Sequence, residues 1–125
     1  EMDWAAVTYA VVGSPGVLNP ETGRLDYAQN LPGWGRAGLV ERLRTALAVE
    51  TAIENDINLA ALGELAFGAG AGVRNFVLIS VGTGVGMGIV INGELYVGSS
   101  GAAGEVSFLP ATEVDTPGRG GRQRG

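Results

Sequence analysis

The chain has 125 residues, 46% hydrophobic and 17% charged, a globular composition for one modest domain. A net charge of −5 and a pI near 4.6 argue against stand-alone nucleic-acid binding, which needs clustered cations. With no Cys, no His and no Lys (all eight basic residues are Arg), this stretch holds no disulfide, thiolate or imidazole site, no Walker A lysine and no Schiff-base lysine.

Val7–Val12 is an apolar run ending in Gly13-Ser14-Pro15-Gly16, which predicts a buried strand entering a tight turn. Leu18–Trp34 is rich in turn clusters, Asn19-Pro20-Glu21-Thr22-Gly23 and Asn30-Leu31-Pro32-Gly33-Trp34, and reads as a long loop with one short extended piece at Leu25–Tyr27. Leu39, Val40, Leu43 and Leu47 recur at helical spacing and predict an amphipathic helix over Ala37–Ala48. Thr51–Ile53 is a short strand. A second helical pattern runs through Leu59, Leu62, Leu65 and Ala66, with Asn55 or Asp56 as its N-cap and Gly68–Gly72 as a break or hinge. Phe76–Val81 and Ile89–Ile91 are strands flanking a glycine loop at Gly82–Gly88. Asn92-Gly93 is a two-residue hairpin turn, and Glu94–Val97 returns as a third strand. The remainder from Gly98 is loop, and three arginines in Thr116–Gly125 read as a solvated tail. No run of about 18 apolar residues and no signal peptide is found, so a soluble, cytoplasmic chain is expected. Strand–helix alternation followed by hairpins predicts a mixed α/β layered fold in two parts, residues 1–70 and 71–125.

Three segments hold candidate chemistry. Gly82, Gly84, Gly86 and Gly88 alternate, and backbone without Cβ atoms can approach an anion and offer it N–H groups, with Thr83 adding a hydroxyl. The spacing is not that of a dinucleotide fingerprint, and the same glycines also fit a tightly packed hairpin. Glu54-Asn55-Asp56-Ile57-Asn58 crowds acids and amides at a strand-to-helix junction, where ligands of open α/β sheets gather. Asp56 there could act as a general base, or the group could be an ordinary helix cap. Glu105, in Gly101-Ala102-Ala103-Gly104-Glu105, is either a solvated acid or a partner for sugar hydroxyls. Asn30 and the Gly13–Gly16 turn are further candidates of that kind.

Taken together these segments resemble the ROK family of bacterial sugar repressors and sugar kinases. The resemblance rests on an ordered set: Val12–Gly16 with Asn19–Gly23; Asn30–Trp34; Glu54–Glu64; and Gly82–Gly88 through Asn92–Tyr96 to Gly101–Glu105. It implies an actin-like ATPase (ribonuclease H-like) fold with two lobes around a cleft. In a kinase of this type Asp56 would be the general base, Asn30, Asn55, Asp56, Glu105 and Gly13 would bind the sugar, and Gly82, Thr83 and Gly84 would cradle the phosphates of ATP with Mg²⁺.

Two departures from the family's kinases stand out. Phe108 occupies the place of a histidine that touches sugar and zinc, and Thr116-Pro117-Gly118-Arg119-Gly120-Gly121-Arg122 stands where a Cys-rich zinc motif is expected. The resemblance is therefore to a zinc-less, regulator-like member. The expected function is the sugar-sensing, kinase-like domain of a transcriptional regulator, with an ATP-dependent sugar kinase as the alternative and a degenerate relative that binds neither ligand as a third reading. A first phosphate motif and a winged-helix domain for DNA are expected before Glu1, and further sugar and adenosine contacts after Gly125. The expected partners are a small sugar and a second copy of the chain, as a homodimer or higher oligomer. No zinc and no membrane are expected.

Overall fold

The computed structural model describes residues 3–28 and 31–108. Strand β1 (Tyr9–Ser14) lies parallel to β4 (Glu50–Asn55), with Tyr9 opposite Glu50 and Ser14 opposite Asn55. Between them comes a small antiparallel hairpin, β2 (Val17–Asn19) and β3 (Arg24–Asp26), and helix α1 (Leu39–Leu47). The hairpin turn is built by Asn19, whose side-chain oxygen accepts from the N–H groups of Glu21 (2.9 Å) and Thr22 (3.1 Å). Leu25, Leu39 and Ile53 form the buried core of this part, with Val12, Leu18, Ala28, Trp34, Val40 and Leu43 packed around them. Arg44 pairs with Glu41 and Glu50 and so ties α1 to β4.

Strand β4 runs without a loop into helix α2 (Asp56–Phe67). This helix is apolar on nearly all sides because it is shared. It packs on β1 and β4 behind it and on the second sheet in front. That sheet is a meander of β5 (Phe76–Val81), β6 (Val85–Ile91) and β7 (Glu94–Leu95), with Phe76 opposite Val90 and Val81 opposite Val85. Asn92 and Gly93 both have positive φ (58° and 81°), the backbone a two-residue hairpin of this hand requires. Ala61 at the centre of α2 has no exposed surface, and Val90 beneath the helix is 1% exposed. The opposite face of the meander carries Val77, Ile79, Val81 and Val85 in the open.

The two helices, the Asn92-Gly93 turn and the meander agree with the sequence reading. The extended piece expected at Leu25–Tyr27 corresponds to β3 (Arg24–Asp26), but it pairs with β2 in a hairpin the sequence did not show, because three-residue strands are too short to leave an alternating pattern. The expected loop Gly82–Gly88 closes at Gly84, and Val85–Gly88 already belong to β6. The third strand ends at Leu95 instead of Val97. Among the described residues no helix is long and apolar enough to cross a membrane.

Candidate functional site

The site grows from the junction of β4 and α2. Asn55 is the N-cap of α2, and its side-chain oxygen accepts from the backbone N–H groups of Ile57 (2.9 Å) and Asn58 (3.1 Å). The other end of the same amide donates to the Gly16 carbonyl (3.0 Å) and, at longer range, to Glu105 Oε1 (3.4 Å). One side chain therefore joins the helix start, the turn after β1 and the loop after β7. Glu54 is scaffold: its Oε1 accepts from the Asn55 N–H (2.8 Å) and from the Asn58 side chain (3.0 Å), and Asn58 is buried.

Asp56, the first residue of α2, is exposed, and one of its carboxylate oxygens accepts from the Ile57 N–H (2.9 Å). Its other oxygen has no bonding partner among the described residues. Glu105 reaches the same space because its loop is docked on β6. The Met87 N–H donates to the Gly104 carbonyl (3.1 Å), and Gly104, at φ 93°, lies so close to the Met87 carbonyl that no Cβ would fit. Burial pushes the Glu105 carboxyl above its ordinary range, and the neighbouring negative charge of Asp56 adds to that.

The glycine run divides into two uses. A Cβ on Gly88 would come 2.7 Å from Ala61 Cβ, and one on Gly86 would come 2.9 Å from Ile57 Cγ1. These two glycines let α2 lie directly on β6. A Cβ on Gly82 or Gly84 would meet nothing within 4 Å, so the turn itself faces open space. There the Gly82 N–H closes the turn on the Gly84 carbonyl (2.9 Å), and the Thr83 and Gly84 N–H groups carry no hydrogen bond among the described residues. With the Thr83 hydroxyl, these N–H groups are donors of the kind that could hold an anion.

Asn55, Asp56, Glu105 and the Gly82–Gly84 turn all line one cavity of about 450 Å³. Gly13 does not line it. It pairs with Glu54 in the parallel ladder, and a Cβ there would press on Leu59 at 3.1 Å, so its small size serves the packing of α2. The expectations placed on Asn30, on the side chain of Phe108 and on Thr116–Arg122 fall outside the described residues. Tyr27 and Met87 also line the cavity and were not singled out by the sequence: Tyr27 appears there only as the end of an extended piece, and Met87 only as a spacer between two glycines of the Gly82–Gly88 run.

Comparison with known proteins places the chain in a family. The profile of the ROK family matches residues 2–124. A glucokinase of Halalkalibacterium halodurans is 42% identical over 98 residues, which are 78% of this chain and 29% of the relative. A ROK-family glucokinase from Streptomyces griseus, solved with glucose and AMPPNP, superposes with a TM-score of 0.75 at 31% identity, over 85% of this chain and 34% of that one. A ROK-family transcriptional regulator, described as a homologue of the E. coli Mlc protein, superposes with a TM-score of 0.63 at 32% identity, over 78% of this chain and 24% of that one. The chain thus spans about a third or less of the relatives it matches. The fold is part of the actin-like ATPase fold of sugar-kinase type, and with its family profile matched over 2–124 the chain belongs to the ROK family.

Proposed function

We propose that the cavity binds a sugar, and that the chain is the effector-sensing, kinase-like part of a ROK-family transcriptional regulator. The observation that carries the sugar reading is the convergence of Asn55, Asp56 and Glu105 on one cavity. A polyol needs closely spaced acceptors and donors, and these three side chains supply both around one cavity. Asn55 is already engaged, so a hydroxyl would take the place of its long 3.4 Å contact with Glu105 and leave the helix cap intact. Phe108 in place of the kinase histidine, and Thr116–Arg122 in place of the Cys-rich motif, favour sensing over turnover. DNA would be met by another part of the protein.

A sugar kinase is the second reading, favoured by the presence of Asp56 and the Gly82–Gly84 turn in the same cavity. In that reaction Asp56 takes the proton of a sugar hydroxyl as the hydroxyl oxygen bonds to the terminal phosphoryl group of ATP and ADP leaves. Mg²⁺ would supply charge neutralisation on the phosphates. Gly68–Gly72 would then act as the hinge between the first lobe (1–70) and the second (71–125).

The test uses the intact protein with Mg-ATP and a panel of hexoses and N-acetylhexosamines, following ADP release and melting temperature together. A sugar-induced rise in melting temperature without ADP release is the expected result. Sugar-dependent ADP release that vanishes in Asp56→Asn would make the protein a kinase. The absence of both signals would remove the sugar reading.

A further inference from the structure

Along β5, Phe76, Leu78 and Ser80 alternate with the exposed Val77, Ile79 and Val81, so these three side chains point to the α2 side of the meander. The residues opposite them on β6 are Val90, Gly88 and Gly86. These mark the same face: Val90 is buried, and Cβ atoms on Gly88 and Gly86 would run into Ala61 and Ile57 of α2. Phe76 and Leu78 are apolar, as a face covered by a helix requires. Ser80 breaks that pattern. It stands opposite Gly86, the glycine that lies against Ile57 in the first turn of α2, where the helix begins and the cavity opens.

Ser80 lines the cavity together with Asp56 and the Gly82–Gly84 turn, and its hydroxyl carries no hydrogen bond among the described residues. Gly82 follows two residues on, about 7 Å along an extended chain. A sugar already meets acceptors and donors at Asn55, Asp56 and Glu105, whereas Ser80 adjoins the turn with the open N–H groups. A serine hydroxyl rotates to donate, and an anionic oxygen is its strongest acceptor. We propose that Ser80 is a binding residue whose hydroxyl donates to a phosphoryl oxygen of a ligand resting on the Gly82–Gly84 turn. The ligand class is an organic phosphate, from a nucleoside triphosphate or a sugar phosphate. One phosphoryl oxygen accepts from the turn, and another, on the same or the adjoining phosphoryl group, accepts from Ser80. The inference rests on phosphate binding at the turn, which belongs to the second reading above, and holds with or without turnover.

The experiment titrates glucose, glucose 6-phosphate and Mg-AMPPNP separately into the intact protein by calorimetry, with Ser80→Ala and Gly84→Ala beside the wild type. Ser80→Ala should keep the wild-type melting temperature, because alanine loses no bond that the fold makes. It should keep glucose affinity within about twofold and lose roughly tenfold for the phosphate ligand that the wild type binds. That loss with AMPPNP makes a nucleotide the source of the phosphoryl group, and with glucose 6-phosphate a sugar phosphate. Unchanged phosphate affinity in Ser80→Ala would overturn the role of Ser80, and weakening in Gly84→Ala beside it would leave the phosphate turn standing. An equal loss for glucose would assign Ser80 to the sugar and overturn the phosphoryl role. A fall in melting temperature would give the hydroxyl to the fold and overturn the proposal. A wild type that binds glucose but neither phosphate would remove the proposal with the phosphate turn and leave the sugar reading in place.

Discussion

Replacing Asn55 by aspartate separates the two jobs of its amide. A carboxylate still accepts from the Ile57 and Asn58 N–H groups, so the cap of α2 survives. It can no longer donate to the Gly16 carbonyl at 3.0 Å, and it stands as a third acid beside Glu105 and Asp56. The lost donor costs about 1 kcal/mol, and like-charge repulsion in this half-exposed setting adds about 1 kcal/mol more. Together that is ~2 kcal/mol from a fold of typically 5–15 kcal/mol. Asn55→Ala has a similar total for a different reason, about 1 kcal/mol from the cap and about 1 kcal/mol from the Gly16 bond. Salt separates the two variants. Added salt screens the repulsion of the new acid, so the Asn55→Asp penalty shrinks, whereas that of Asn55→Ala does not. Urea denaturation of the intact protein at about 0.1 M and about 1 M salt reads this directly, relative to wild type at each concentration. Wild-type stability for Asn55→Asp at low salt, or a parallel response of both variants to salt, would refute the two-job account.

Gly88→Ala is expected to destabilise by about 1–3 kcal/mol through overpacking on Ala61, which lies 2.7 Å from the added Cβ, whereas Gly84→Ala should change stability by less than about 0.5 kcal/mol; denaturation curves of the pair decide it. If the Gly82–Gly84 turn receives phosphate, Gly84→Ala should nevertheless weaken ATP-analogue binding, measured by calorimetry. Gly104→Ala should cost about 2 kcal/mol or more from its positive φ and its clash with the Met87 carbonyl, and should weaken sugar binding by releasing Glu105; Asp56→Asn, which alters a carboxylate of the cavity while leaving that loop docked, should weaken sugar binding without the same fall in stability. Glu105→Gln tests the raised carboxyl: the ionised form is disfavoured in the fold, so stability falls as pH rises from about 4.3 through the folded pKa, and the variant should gain melting temperature at neutral pH with the gain fading in acid.

The elements most readable from sequence are those with local causes. Asn92-Gly93 names its own turn, and the strand–Asn55–helix junction carries its cap in the residue type. The glycine run is legible as a candidate site but not in its division, because a glycine facing a helix and a glycine facing a cavity look alike until α2 is laid across β6. Glu105 appears in sequence as a lone acid among small residues. Its partner Asn55 lies fifty positions away, and what joins them is the bond between Met87 and Gly104, which no spacing encodes. Tyr27 is legible in sequence only as the end of an extended piece; its place in the cavity lining depends on the close approach of its neighbours Asp26 and Ala28 to Gly16.

The outer face of the meander has a practical consequence. Val77, Ile79 and Val81 stand side by side on β5 at 50%, 61% and 78% exposure, joined by Val85 across the hairpin. In water such a surface promotes self-association, and a strand edge beside it offers a template for another chain. Expressed by itself, this stretch of polypeptide is an aggregation hazard, and a precipitate would report on that bare face, not on the cavity behind it.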